Sequence, residues 1–236
     1  MKMEKVLVIT GGSKGIGLAT ARMFQEKDFK VVNLSRTEIP LEGSVHLSVD
    51  FAVSKWQYGI ENDLMTELVD SEQIVLVHNA GLLLKGSTEQ LDPEDLNRSL
   101  AVNVIAPAIL NRLVIPHMPA KSSIVYVGST LSEKGVPNSA PYVIAKHAVV
   151  GMMRSTCQDL VGTGIHTACV CPGFTETEML HEHVDAEQDR LAAIAEGVTQ
   201  KRLIEPQEIA NTIYFCAQNP VINGALIHAN LGQIET

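Results

Sequence analysis

The stretch KVLVITGGSKGIGLATARMF, residues 5–24, decides the fold. It begins with an apolar run typical of a strand buried on both faces, and it passes through a glycine-rich turn into a helical pattern. Glycines at 11, 15 and 17 allow a tight turn, which would bring backbone N–H groups and a helix N-terminus toward a phosphate. The turn matches neither GxGxxG nor a P-loop, so a purely structural turn is the alternative.

The same alternation continues along the chain. Short runs rich in Val and Ile predict seven strands at 5–10, 30–35, 44–49, 73–79, 122–129, 165–171 and 225–230. Helical patterns lie near 15–28, 54–69, 93–117, 140–160 and 205–219. Such repeats give a parallel sheet with helices on both faces. We therefore predict an α/β fold, a Rossmann-type doubly wound, seven-stranded parallel sheet, as one domain over residues 1–236.

Composition and charge exclude several classes of function. The net charge of −9 argues against nucleic acid or an anionic membrane as a partner. No apolar run approaches the roughly 20 residues of a membrane-spanning helix, and the chain start has no targeting pattern, so a cytoplasmic protein is expected. The four cysteines form no CxxC pair and are expected to be free thiols. The histidines of HEH, residues 181–183, lack a third ligand at a telling spacing, so no metal site is predicted.

Four polar or glycine-containing segments follow predicted strands. The glycine turn follows the first strand, NAG (79–81) the fourth, Ser129 ends the fifth, and PGFTET (172–177) follows the sixth. Ligands of such sheets bind at the carboxyl ends of the strands, near the point where the strand order reverses. All four segments are therefore expected on one rim.

The end of the second strand suggests which dinucleotide binds. NAD sites usually carry an acid there, whereas an arginine suits a 2′-phosphate. Ser35 occupies the acid's expected position, Arg36 follows it, and Lys14 is available from the glycine turn. The pattern predicts NADP(H) rather than NAD(H), the alternative being that Arg36 is only a surface charge.

Two helical patterns carry unusual polar residues. Pro107 lies four residues after Asn103 and has no N–H for the Asn103 carbonyl, so the helix should bend there and free that carbonyl for a water. Tyr142 and Lys146 share one helix face, and a neighbouring cation favours the ionised form of a phenol. The alternatives are a kink that serves packing and an ordinary half-buried tyrosine with a snorkelling lysine.

Taken in order and spacing, these motifs resemble the short-chain dehydrogenase/reductase family, in its compact single-domain branch, over essentially the whole chain. The resemblance implies a catalytic tetrad of Asn103, Ser129, Tyr142 and Lys146. It implies a cofactor site of Gly11, Ser13, Lys14, Gly15, Ile16, Gly17, Ser35, Arg36, Asp50, Phe51, Asn79, Ala80, Gly81, Tyr142, Lys146, Pro172, Gly173, Thr175 and Thr177. Asp50 and Phe51 would flank the adenine. A homotetramer or homodimer, built on the helices at 93–117 and 140–160, is also implied.

The expected reaction is hydride transfer between NADP(H) and a small-molecule carbonyl or secondary alcohol. Tyr142 would act as the general acid, Lys146 would assist it and hold the nicotinamide ribose, and Ser129 would hold the substrate oxygen. An NAD-linked alcohol dehydrogenase of the same fold and a non-catalytic nucleotide sensor are the alternatives.

Segments 83–88, 131–139 and 174–200 should set substrate choice. The last is acidic, which would disfavour anionic substrates or would simply be a solvated helix face. His78 replaces the more common asparagine before NAG and is expected to alter cofactor contacts. The C-terminal GALIHANLGQIET lacks the family's Asp-Gly-Gly ending, which bears on oligomer contacts.

Overall fold

Seven parallel strands form one sheet in the computed structural model, which describes residues 4–183 and 188–234. The strands are β1 (Glu4–Thr10), β2 (Phe29–Ser35), β3 (Val45–Ser48), β4 (Ser71–His78), β5 (Ser123–Val127), β6 (His166–Pro172) and β7 (Ala225–Ala229). Their order is β3-β2-β1-β4-β5-β6-β7. The order reverses between β1 and β4, so the crevice there is the ligand position expected for this fold. The predicted fold class is confirmed.

Helices cover both faces of the sheet. They are α1 (Gly15–Gln25), α2 (Glu61–Leu68), α3 (Pro93–Leu100), α4 (Ala106–Val114), α5 (Ala140–Asp159), α6 (Glu178–His183), α7 (Gln188–Glu196) and α8 (Pro206–Gln218). The pattern near 54–69 is a 3-10 turn at Trp56–Gly59 followed by the short α2, rather than one helix. Apolar residues of α2, α4 and α5 pack on one face, and those of α1 and α8 pack on the other.

Strand β1 contributes to both apolar layers because its side chains alternate. Val6 and Val8 face the α4 and α5 layer, whereas Leu7 and Ile9 face the α1 and α8 layer. All four are buried, and full burial of such a side chain contributes roughly 1.5–3 kcal/mol. The central strands are thereby fixed, and with them the positions of the loops at their carboxyl ends.

The helix expected to bend at Asn103 changes its hydrogen-bond pattern there. Between α3 and α4, residues Ala101–Ile105 form a π-helical segment, in which the N–H of Ala106 bonds to the carbonyl of Ala101. Pro107 follows in the first turn of α4, and because it has no N–H, a carbonyl of the preceding turn lacks its helical partner. A π-helical insertion is one of the recognised causes of a local distortion in a helix.

An 18-residue window of the helical stretch Pro93–His117 has a mean hydropathy of 1.5, so the stretch is long and apolar enough, by length and composition only, to cross a membrane. The expectation that no apolar run approaches 20 residues concerned uninterrupted runs, and Asn103 and Arg112 interrupt this one. Leu110, Leu113 and Val114 of this stretch are buried against the sheet. Its apolar character is thus accounted for by packing in the core.

Candidate active site

The glycine turn, residues 11–17, is tied directly to the segment that follows β4. The Asn79 Nδ2 donates to the carbonyls of Thr10 and Gly11, each at 3.0 Å. Gly11 has a φ of +67°, which favours glycine. A Cβ on Gly17 would lie 2.1 Å from the Gly11 carbonyl oxygen and 2.6 Å from Asn79 Nδ2, so no side chain fits there.

Thr10 joins the same two segments from the last position of β1. Its Oγ1 accepts the backbone N–H groups of Asn79 at 3.0 Å and Ala80 at 2.9 Å. The hydroxyl is buried, and satisfying two buried N–H groups through one oxygen removes a large desolvation cost. Side-chain hydrogen bonds therefore join the ends of β1 and β4 at this crevice, in addition to the backbone hydrogen bonds of the sheet.

The start of α1 fits an anion. Lys14 is its N-cap but gives no side-chain cap, and the first turn carries no acidic residue. Its first N–H groups thus have no side-chain acceptor from the cap, and a helix N-terminus attracts negative charge. Ser13 and Ile16 lie half-buried in this turn. The Lys14 ammonium lies 3.9 Å from Glu182 of α6, and both side chains are exposed.

Tyr142 and Lys146 lie in the first turns of α5, where the side chains of both are buried. Tyr142 is 9% exposed and Lys146 only 4%. The Lys146 Nζ lies 5.5 Å from the centroid of the Tyr142 ring and donates to the Val127 carbonyl at 2.8 Å. The two residues therefore face the same side of α5, as their spacing predicts, next to the end of β5.

The side chains of Asn103 and Lys146 both approach Gly81. A Cβ placed on Gly81 would lie 3.3 Å from Asn103 Oδ1 and 3.8 Å from Lys146 Nζ. The Asn103 Nδ2 also donates to the carbonyls of Leu82 and Ser99, each at 2.9 Å. The π-helical segment thus places the Asn103 carboxamide against the loop after β4 and beside the buried ammonium.

Ser129 follows β5 by two residues and caps a 3-10 turn at Thr130–Ser132. Its Oγ accepts the N–H of Leu131 at 3.1 Å, and its N–H donates to Ser132 Oγ at 3.0 Å. Because Oγ acts as acceptor in this cap, its own hydrogen remains to be donated. Ser129 is half-buried, two residues beyond the carbonyl that Lys146 binds.

The residues expected around the adenosine lie at the ends of β2 and β3. Arg36 is exposed, whereas Ser35 is buried and its hydroxyl donates to the Thr37 carbonyl at 2.6 Å. Asp50 is half-buried. The ring of Phe51 packs edge-on against Trp56, 5.0 Å away, within the core. The Phe51 ring is thus buried beside Trp56, and the expectation that Asp50 and Phe51 flank the adenine remains a prediction.

The segment 172–177 folds back over the glycine turn. Thr175 Oγ1 donates to the Gly173 carbonyl at 3.1 Å, and Thr177 Oγ1 donates to the Thr175 carbonyl at 3.2 Å. A Cβ on Gly15 would lie 3.1 Å from the Thr177 Cγ2. Pro172 ends β6, so this segment connects the sheet rim to α6 directly above the start of α1.

The first two predicted substrate segments pair with each other. The Gly86 N–H donates to the Asn138 carbonyl at 3.1 Å, and the Ala140 N–H donates to the Gly86 carbonyl at 2.9 Å. The loop after β4 is thereby fixed to the residues just before Tyr142. The third segment contains α6 and α7; of its acidic residues, Asp185 and Glu187 lie outside the described residues.

His78 lies in a buried polar network, not on the rim. Its Nε2 is 2.8 Å from Asn111 Oδ1, the Asn111 Nδ2 donates to the Tyr126 hydroxyl at 2.7 Å, and that hydroxyl is 3.2 Å from Thr156 Oγ1. Because the Asn111 Nδ2 donates to Tyr126, its Oδ1 faces His78. An amide oxygen only accepts, so the His78 Nε2 carries the hydrogen and donates it. Burial lowers the pKa of His78 to about 4, so the ring is neutral at neutral pH. The expectation that His78 alters cofactor contacts is therefore wrong, because its side chain points into the layer of α4 and α5.

The cysteines are free thiols, and the HEH segment lies at the end of α6. Cys169, Cys171 and Cys216 are buried free thiols, and Cys157 is half-buried. No cluster of three or more His, Cys, Asp or Glu side chains suited to a metal occurs among the described residues. His181 bonds to Glu176, and the side chain of His183 lies outside the described atoms.

Sequence reasoning missed three contributors to the rim. Thr10 and Leu82 act through contacts between elements, which a linear pattern does not reveal. Asn33 gave a usable signal, because a carboxamide inside the buried run VVNLS needs partners that the apolar strand itself does not supply.

Comparison with known proteins identifies the relatives of this chain. A family model described as short chain dehydrogenase matches residues 5–188. An uncharacterized oxidoreductase of Thermotoga maritima is 32% identical, over 97% of this chain and 96% of the relative. Carbonyl reductase family member 4 of Xenopus laevis is 27% identical, over 95% and 96% respectively. A solved structure described as ElxO with NADP bound has a TM-score of 0.86 and 26% identity, and the match covers 97% of this chain and 98% of that one.

Proposed function

Because this chain belongs to the short-chain dehydrogenase family, we propose that it transfers hydride between NADP(H) and a neutral carbonyl compound or secondary alcohol. Membership of the family makes it an oxidoreductase. The coenzyme preference, the substrate class and the roles of individual residues are the proposal.

The main support for the proposed function is the buried ammonium of Lys146, which lies beside the phenol of Tyr142. Lys146 is nearly inaccessible, donates to Val127, and lies 5.5 Å from the Tyr142 ring and close to Asn103 around Gly81. Burial of an ammonium is costly without strong partners, so an arrangement with no chemical use would be a poor way to pack this helix.

In the proposed mechanism Tyr142 gives its proton to the substrate oxygen. When bound, the dinucleotide would supply hydride to the carbonyl carbon of the substrate, whose oxygen would then gain negative charge. The Ser129 hydroxyl donates its remaining hydrogen to that oxygen and orients it. The Lys146 ammonium stabilises the ionised phenol after the proton has left. The Asn103 carbonyl, freed by Pro107, would hold a water that returns a proton along Lys146.

The proposed dinucleotide site uses the glycine turn and the ends of β2 and β3. The N-terminus of α1 would receive the pyrophosphate, since it has no side-chain cap and no acidic first turn. Arg36 is exposed just after β2, where its guanidinium suits a 2′-phosphate. One similar structure is described with NADP bound and another as complexed with NADH, so the proposed preference for NADPH rests on Arg36.

We also propose a homodimer or homotetramer built on the helices at 93–117 and 140–160. Ile105 and Ile144 on these helices are 52% and 44% exposed, and the proposed interface would cover them. Light scattering after size exclusion would give the mass directly, and a monomer would overturn this assembly.

The function is tested by two measurements in sequence. Fluorescence titrations with NADPH and NADH give both dissociation constants, and a panel of neutral ketones, aldehydes and secondary alcohols follows with the preferred coenzyme. The proposal predicts tighter NADPH binding and turnover of at least one compound. Tighter NADH binding would indicate an NAD-linked enzyme, and binding without any turnover would indicate a nucleotide sensor.

A further inference from the structure

Asn33 is a fully buried carboxamide in β2, directly beneath the glycine turn. It is 0% exposed, and its Oδ1 accepts the Gly12 N–H at 2.8 Å. Its Nδ2 donates to Ser35 Oγ at 2.8 Å and lies 3.0 Å from His46 Nδ1 on β3. One side chain therefore joins the phosphate end of the rim to the adenosine end.

The partners of Asn33 determine the orientation of its amide. The Gly12 N–H can only donate, so the atom facing it is the amide oxygen. Both Nδ2 hydrogens then go to Ser35 and His46, which makes His46 Nδ1 an acceptor and places the His46 proton on Nε2. Every hydrogen of the carboxamide is used, as expected for an amide that is inaccessible to water.

The same network occupies the hydroxyl group of Ser35 as both acceptor and donor. Its Oγ accepts from Asn33, and its single hydrogen is donated to the Thr37 carbonyl at 2.6 Å. A 2′-phosphate needs donors, and Ser35 has none left to offer. The hydroxyl is also buried, so the exposed Arg36 is the residue at this strand end that can meet a phosphate.

Gly12 is a glycine because of Asn33. A Cβ on Gly12 would lie 2.6 Å from Asn33 Oδ1, so a side chain there must displace Asn33; the next contacts, Asn33 Cγ and Ile9 Cγ2, are each 3.2 Å away. Unlike Gly11 and Gly15, Gly12 does not have a positive φ, so its backbone conformation is open to other residues. The carboxamide at residue 33 therefore requires a residue without a side chain at position 12.

We propose that Asn33 is the positioning residue of the dinucleotide site: it fixes the glycine turn against β2 through Gly12 and donates to Ser35 Oγ. The Ser35 hydrogen goes to the Thr37 carbonyl, so 2′ recognition is left to Arg36. The inference rests on the proposed function, because it requires that the turn bind a dinucleotide. It concerns affinity for both coenzymes, since the turn receives the part that NADPH and NADH share.

The test measures dissociation constants by fluorescence titration and kcat at saturating coenzyme. Asn33→Ala should raise the constants for NADPH and NADH by the same factor of about ten, the loss of one well-made buried hydrogen bond, and leave kcat within about twofold. A role in stability alone would lower the midpoint of unfolding without moving the dissociation constants of the folded protein.

A double-mutant cycle tests the pairing of residues 12 and 33. Gly12→Ala should weaken binding about tenfold in the wild-type background and less than about twofold in the Asn33→Ala background, because the shortest contact, with Asn33 Oδ1, is gone and only the milder contact with Ile9 Cγ2 remains. Faster amide hydrogen exchange at Gly12 in Asn33→Ala would support the same contact. Ser35→Ala should leave the ratio of the NADPH and NADH constants unchanged, and it retains the Gly12 contact should Asn33→Ala fail to fold.

The outcomes separate the inference from the function. Unchanged dissociation constants in Asn33→Ala, additive effects in the cycle, or a shift of about threefold or more in the coenzyme ratio of Ser35→Ala would overturn the inference alone. A wild-type protein that binds neither dinucleotide would overturn the proposed function, and the inference with it.

Discussion

The carboxamide of Asn103 bonds to both backbone groups of Leu82. Its Nδ2 donates to the Leu82 carbonyl at 2.9 Å, and its Oδ1 accepts the Leu82 N–H at 3.4 Å. The π-helical segment at Ala101–Ile105 is thereby fastened to the loop that follows β4, next to Lys146. The helix distortion and the loop are thus one structural unit.

Replacing Asn103 should damage stability and catalysis together. Asn103→Ala removes a hydrogen-bond partner from the half-buried backbone groups of Leu82 and from the buried Ser99 carbonyl, which should lower the free energy of unfolding by about 1–3 kcal/mol. Loosening of the loop beside Lys146 should also lower kcat by about tenfold or more. Urea unfolding and steady-state kinetics measure both, with Asn97→Ala, on the exposed face of α3, as the control. An unchanged kcat would show that the contact serves packing only.

The sequence predicts the sheet, its parallel order and the segments on its rim, because strand periodicity and glycine placement are local properties. The spacing of Asn103 and Pro107 likewise indicates a helix distortion, although it does not identify the π-helical form. The bonds of Asn33, Leu82 and His78 could not be predicted, since each depends on the register between separate elements. Phe51 shows the same limit: its position at a strand end is readable, but the direction of its ring is set by Trp56.

Gly81 should not accept a side chain. Gly81→Ala places a methyl group 3.3 Å from Asn103 Oδ1, so the carboxamide must shift by a few tenths of an ångström, and the methyl group also lies in contact with Lys146 Nζ at 3.8 Å. We expect kcat to fall by about tenfold, because small displacements of catalytic groups are costly. Gly151→Ala on α5 is the matched control, since nothing lies within 4 Å of its Cβ position. It should stabilise the helix by about 0.5–1 kcal/mol and keep full activity. Equal kinetics for the two variants would contradict this geometry.

Arg36 should determine the coenzyme preference. Arg36→Ala removes the guanidinium proposed to bind the 2′-phosphate and should raise the NADPH dissociation constant by about 10- to 100-fold, with the NADH constant nearly unchanged. Arg36→Lys keeps the charge but loses bidentate geometry and should fall between. Isothermal titration of each variant with NADPH and with NADH measures these dissociation constants. A parallel loss of NADH affinity would indicate that Arg36 supports the loop rather than the phosphate.

His78 should make the protein less stable in acid. Its pKa in the folded state is about 4 because of burial, whereas an unfolded histidine has a pKa of about 6.5. Below about pH 6.5 the unfolded chain binds a proton that the folded site refuses, so the stability present at neutral pH is lost as pH falls toward 4. The loss attributable to this ring approaches about 3 kcal/mol.

The matched variant for this pH dependence is His78→Gln, which keeps a donor for Asn111 but does not titrate. Burial also lowers the pKa of His166, which acts in the same direction in both proteins. The difference between their unfolding free energies at pH 7 and pH 4.5, measured with urea, therefore isolates His78. Equal pH slopes would show that the ring is already protonated, or accessible to water, in the folded protein.

The most direct test of the proposed chemistry is Tyr142→Phe, which removes one hydroxyl and keeps the buried ring. NADPH consumption with a carbonyl substrate turned over by the wild type should fall by about 10²- to 10⁴-fold, while the NADPH dissociation constant stays within about twofold. Turnover at the wild-type rate in the variant would contradict the assignment of Tyr142 as proton donor.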